Sequence, residues 1–275
     1  MRLAVCLLVV CVCAPILSHA ESKTYEGPGW DTPEEAVLVY LEGLRDQDLD
    51  KMISAYAVET HIDHFDMQAQ LERVRGYTMS MVPRMSNSTD LIRSINVETR
   101  KNAIVQSILT QLTSICLHGE KAMDLANPVS FPNDSFAADI RGFIEELDQM
   151  FTAVDFCSLN VLRFTPPEQI AELYASERNQ ENMQKQAVPY GADEIRSVPV
   201  FFTVGGLVGG FGPDAARYGD RWFLHSPSGN ISIIIGIPAA NAGLVAGPLE
   251  ELSEALSFAG IDLADDLLID QIEDY

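Results

Sequence analysis

Positive charge is scarce in this chain: 18 Lys and Arg stand against 40 Asp and Glu, a formal net charge of −22. Affinity for nucleic acid comes from Lys and Arg neutralising phosphates, so this balance excludes nucleic acid as a partner and works against anionic lipid. Long apolar runs are missing too. Beyond the amino-terminal segment nothing approaches the ~20 residues that cross a bilayer as a helix. Cysteine is sparse, and only Cys116 and Cys157 lie outside the first 13 residues. Several catalytic and ligand motifs are absent. There is no G-x-S-x-G elbow, and Gly205-Gly206 to Gly212 lacks the Lys-Ser/Thr of a phosphate loop. Asp46-x-Asp48-x-Asp50 begins like a calcium loop, but Lys51 stands where Gly is required and Ala57 where Glu is.

What is present begins with a processing signal. Arg2 supplies a positive start, Leu3 to Cys13 a short apolar run, and Ser18-His19-Ala20 small residues suited to cleavage. Residues 1–20 are therefore expected to be a signal peptide, leaving a secreted or extracytoplasmic protein that starts near Glu21 with no stable membrane insertion. Residues 1–20 hold one basic and no acidic side chain, so the mature chain carries 17 against 40, a formal charge of −23. Export permits a disulfide between Cys116 and Cys157, the two candidates. Two small buried thiols that never meet is the other reading, and both stand open.

Residues 21–31, polar and broken by Gly and Pro, are expected to be a disordered leader. An α+β domain follows over 32–237, helical over 32–151 and sheet-containing over 152–237. Thr32-Pro33-Glu34-Glu35 is a helix start with a cap, a proline suited to the first turn and a Glu placed to return the capping bond. Apolar spacing continues it through Leu44, and Asp48 can cap a second short helix. Asp90 to Leu117 places Ile104, Ile108 and Ile115 on one helical face, and Asn179 to Gln186 is polar and expected to be mobile. From Val198 on, short β-branched and aromatic runs are broken by Gly205-Gly206, Gly212-Pro213-Asp214 and Gly219-Asp220, the pattern of an antiparallel meander. Asp214 and Asp220 are expected at turns. Residues 238–275 are expected to be a small-residue linker and an acidic helical tail.

The stretch TPEEAVLVYLEGLRDQDLDKMISAYA resembles the opening helical hairpin of the cone-shaped cystatin-like superfamily, also called nuclear-transport-factor-two-like. RYGDRWFL resembles the penultimate strand pair of its exported bacterial members, proteins of unknown function. The resemblance implies a hairpin laid across a strongly curved antiparallel sheet, with any reactive side chains projecting from the concave face or the hairpin. The long helical stretch between hairpin and sheet departs from compact members.

His61-Ile62-Asp63-His64-Phe65-Asp66 is the sharpest chemical candidate. On a helix, His61 and His64 lie one turn apart and could share a metal, with His118 and His225 the distant histidines available as a third ligand, and imidazole with Asp63 is the usual acid–base pairing. The bland reading is a solvated helix end. Ser197 to Pro213 contains no Asp, Glu, His, Lys or Arg, so a pocket floored by it would be apolar and short of a general base. The expectation is a non-catalytic binding or envelope-associated protein, needing no cofactor, whose partner is an unknown protein or small apolar ligand. The alternative is a cone-fold isomerase, dehydratase or hydrolase using His61, Asp63 and His64.

Overall fold

The computed structural model describes residues 24–75, 89–117, 136–165, 176–226, 243–258 and 263. Helices dominate the amino-terminal half and antiparallel strands the rest, giving an α+β architecture. Helix α1 (Pro33–Arg45) starts on the expected capping box: the Glu35 N–H donates to Thr32 Oγ1 at 3.2 Å and the Thr32 N–H to Glu35 Oε2 at 3.3 Å. Asp48 caps α2 (Leu49–Ser54) through the Lys51 N–H at 3.0 Å. The same aspartate run is thus consumed by structure, since Asp46 also pairs with Lys51 at 3.0 Å and Arg45 at 3.1 Å. Gly43 lets the two helices close, because a Cβ there would lie 2.8 Å from Met52. Helices α3 (Glu59–His64), α4 (Met67–Val74), α5 (Asp90–Cys116) and α6 (Phe136–Ala153) follow.

The sheet is one bent hairpin with strands added to its sides. Strand β1 (Asn160–Phe164) precedes α7 (Glu177–Tyr190), and the hairpin then runs through β2 (Glu194–Ser197), β3 (Val200–Val204), β4 (Leu207–Phe211) and β5 (Asp214–Tyr218). Gly205 and Gly206 turn it with φ of 56° and 79°, the positive pair that a two-residue hairpin loop favours. Ser197 faces Asp214 and Val200 faces Phe211, so β2–β5 and β3–β4 share one unbroken register. Between them the Val198 N–H donates to Pro213 O at 2.9 Å. Pro199 and Pro213 have no N–H to offer, and the ladder creases there into a four-stranded part (β1-β3-β4-β7) and a three-stranded part (β2-β5-β6). Strand β6 (Arg221–Ser226) lines β5, and β7 (Leu244–Gly247), followed by α8 (Leu249–Phe258), lines β4. The curved antiparallel sheet of the expectation is this creased one.

The main core lies between the helices and one face of the sheet. Ala36, Val37, Tyr40 and Leu41 of α1, Ile104 and Ile115 of α5, and Phe202, Phe211, Leu224 and Leu244 of the strands are at most 1% exposed. A smaller cluster of Met183, Ala187, Ile195 and Ala216 packs α7 on the other face of the three-stranded part.

Three expectations are corrected, and the open question of the two cysteines is answered. The leader is docked, not disordered, over 24–31: Trp30 and Trp222 exchange backbone hydrogen bonds at 3.0 and 2.8 Å, extending the β6 edge. The boundary at 237 cuts the sheet, because Leu244–Gly247 of the supposed linker is β7, held by β4. Asn179–Gln186 belongs to a helix anchored by Met183. Cys116 is buried and Cys157 exposed, and both are free thiols; burial pushes the Cys116 thiol up to about 11. The signal segment, His118 and most of the acidic tail lie outside the described residues.

Candidate functional site

The histidines meet where α3, α7 and β6 converge. Residues 55–57 dock beside β6: the Leu224 N–H donates to Ala55 O at 2.8 Å and the Ala57 N–H to Leu224 O at 3.0 Å. Helix α3 therefore begins against the strand. Its N-cap, Val58, has no side-chain acceptor to offer. Glu26 of the leader supplies the cap, accepting from the Val58 and Thr60 N–H groups at 2.9 and 2.8 Å and from Thr60 Oγ1 at 2.6 Å. Glu59 answers by accepting from the Tyr25 N–H at 2.8 Å and the Glu26 N–H at 3.2 Å. Leader and helix clasp each other.

Strand β6 carries a bulge at its end. Ala215 faces Leu224 while Asp214 faces Ser226, so His225 is the extra residue. Bulges re-aim side chains, and this one delivers an imidazole toward α3. The guanidinium of Arg100 on α5 fixes the bulge by donating to the His225 carbonyl, and reaches Ala57 O at 3.4 Å. From α7, Tyr190 enters between Pro189, whose carbonyl accepts the Asp66 N–H at 2.8 Å, and Gly191 at φ 61°. A Cβ on Gly191 would collide with the His64 carbonyl, so only glycine lets the chain pass α3 this closely.

The result is a buried aromatic corner. His61 is 2% and His225 6% exposed, with ring centroids 5.4 Å apart. Tyr190 lies 5.1 Å from His61 and 4.3 Å from His225, and Phe65 lies 6.1 Å from His61. The rest of the predicted run goes elsewhere. Asp63 forms a bidentate pair with Arg93 at 2.7 and 2.6 Å, out on the surface. His64 is exposed, its Nδ1 2.9 Å from the Thr60 carbonyl and its ring 5.4 Å from Tyr218. Asp66 caps α4 through the Ala69 N–H at 3.0 Å. Asp63 and His64 are thus exposed on α3, while His61 is buried in the corner. Among the described residues no group of three His, Cys, Asp or Glu side chains is arranged to hold a metal.

A second buried ionisable group sits at the crease. Asp214 opens β5 instead of lying in a turn; its carboxylate accepts from the Ser197 hydroxyl, and burial pushes it up to about 6. The sequence reading that stopped at Pro213 missed it by one residue. His225, one of the two distant histidines the sequence offered, is beside His61; Tyr190 and Tyr218 were missed as neighbours of α3, since the end of a distant helix and a strand face leave no periodic signal.

No family model matches this chain, and no curated protein does. A crystal structure of a cystatin-like protein from Ruminococcus gnavus ATCC 29149 is similar at 15% identity and a TM-score of 0.42, over 78% of this chain and 44% of that one. The chain spans less than half the length of that protein. At this level the likeness says nothing about chemistry, and the architecture stands on the strand register above.

Proposed function

We infer that the protein is exported and works as a non-catalytic binding or envelope-associated interaction protein, its partner a protein or a small apolar ligand. The observation that carries this reading is the dispersal of the His61–Asp66 run. Its one buried imidazole enters an aromatic corner, and the carboxylate that would have activated it is held by Arg93. General acid–base catalysis needs the base within hydrogen-bond reach of its orienting partner, and an Asp63 bound to Arg93 does not favour the isomerase, dehydratase or hydrolase alternative. Arg2 and the apolar run after it support export. Leu91, Ile95, Leu109 and Ile144, between 46% and 69% exposed on α5 and α6, offer apolar contact on an otherwise acidic surface.

Mass spectrometry of protein recovered outside the cytoplasm should find a chain starting near Glu21; uncleaved protein confined to the cytoplasm would overturn export. Leu91→Asp with Ile95→Asp should weaken retention on an isolated envelope fraction while leaving the fold intact. A folded His61→Asn variant that loses a measurable turnover present in the parent would overturn the non-catalytic reading.

A further inference from the structure

Helix α5 has two faces. Val97, Ile104, Gln111 and Ile115 are buried in the body of the molecule. The opposite side carries Ile92, Ile95, Thr99, Asn102, Gln106 and Leu109, all exposed and all uncharged. They follow one another at alternating steps of three and four residues. That is the narrow seam of a coiled coil, not the charged outer face of an ordinary surface helix. Glu98, at the margin of the seam, is held within its own copy by Lys101 at 2.5 Å and by the Tyr25 hydroxyl.

A neutral row of this length stands out on a chain of formal charge −22, and it restricts what can cover it. A small apolar ligand takes a concave pocket, and this is the convex side of a helix. A partner recruited through charge would meet the acidic surface elsewhere. A second copy carries the same excess of negative charge, so it can approach only over ground that is neutral on both sides. The spacing also reads the same in both directions. Turned end for end, the row falls on itself: Ile92 on the partner's Leu109, Ile95 on the partner's Gln106, Thr99 on the partner's Asn102. A twofold interface requires that self-complementarity. We infer that α5 pairs antiparallel with α5 of a second copy along this seam, over about 25 Å. The inference names the partner of the apolar surface described above and rests on the reading of that surface as a contact. One helix pair falls below the roughly 1,200 Å² of a standard interface, so the pairing is weak and depends on concentration.

Sedimentation equilibrium of the purified protein tests this, in reductant because the Cys157 thiol is exposed. A dimer should form at about 100 µM. Its Kd should fall as salt rises from about 0.02 to about 0.5 M, because salt screens the repulsion between the two bodies and leaves the neutral seam untouched. Leu109→Glu or Ile92→Lys alone should raise Kd about tenfold or more, since each buries an unpaired charge. Together they should restore the dimer, because positions 92 and 109 lie at opposite ends of the seam and meet only across the twofold axis. Should Leu109→Glu not fold, Thr99→Glu at the centre of the seam takes its place. A parent that stays monomeric in both salts, a dimer indifferent to these charges, or a double variant no tighter than the singles would each overturn the pairing. A monomeric parent whose Leu91→Asp, Ile95→Asp variant loses envelope retention sinks the pairing and leaves the binding role standing. A dimer broken by that variant with retention unchanged supports the pairing and sinks the envelope contact.

Discussion

The two ends of the bent hairpin share one register and carry opposite chemistry. On the four-stranded side, Val200, Phe202, Val204 and Phe211 are fully buried and bear no ionisable group. On the three-stranded side, past Pro199 and Pro213, lie Asp214, Arg196, Arg217 and the His225 bulge. Trp222 there sits under the guanidinium carbons of Arg196 and Arg217, 5.3 and 5.9 Å from its ring. A continuous ladder therefore does not imply a uniform surface. The proline crease divides a sealed apolar floor from a wing that can respond to charge.

The largest test of that contrast is Phe211→Ala. Its ring packs 5.2 Å from Tyr40, and truncation should cost about 3–5 kcal/mol in urea unfolding. Loss of about 1 kcal/mol or less would mean the floor is looser than its burial implies. Asp214→Asn probes the other side of the crease. The Asp214 carboxyl titrates near 6 when folded against 3.8 unfolded, so its proton is held more tightly by the native state. Stability from this group is complete below about pH 4 and lost as pH rises toward 6. Asn should raise stability at neutral pH by at most ~3 kcal/mol and flatten that acid window; the gain is reduced by disturbance of the Ser197 bond. A variant with the parent's slope between these pH values would place the carboxyl in water.

Thr32→Ala removes one half of the capping box and should cost about 1 kcal/mol by thermal or chemical denaturation, with no change at the crease. The smallest effect is expected from reductant. With Cys116 and Cys157 both free, dithiothreitol should leave the melting temperature where it was, and a drop of several degrees would reveal a bridge.

Local chemistry was readable in advance where one short segment decides the outcome. Thr32 to Glu35 contains both halves of its cap, and Gly205-Gly206 contains the positive φ pair of its turn, so α1 and the hairpin were visible as letters. Long apolar periodicity located α5 to within a residue at its end. What failed was everything decided at a distance. Leu244–Gly247 has small residues that suit a linker and becomes a strand because β4 offers it an edge. The leader has no apolar pattern and is held by backbone N–H groups at the start of α3, by the Glu59 carboxylate and by the β6 backbone. At the candidate site, His61 was named for a partnership with Asp63 that Arg93 prevents, and its real neighbours come from residues 190 and 225. Spacing along a helix says which side chains share a face; it does not say what that face will meet.

The Glu26 clasp limits how far the amino end can be trimmed. The proposed cleavage near Ala20 would leave the clasp whole, whereas a peptidase that advances past Glu26 would strip the first turn of α3 of its acceptor and free Glu59 from Tyr25 in the same cut. Nicking this short strap would then loosen the wall of the histidine corner without touching a single ring in it.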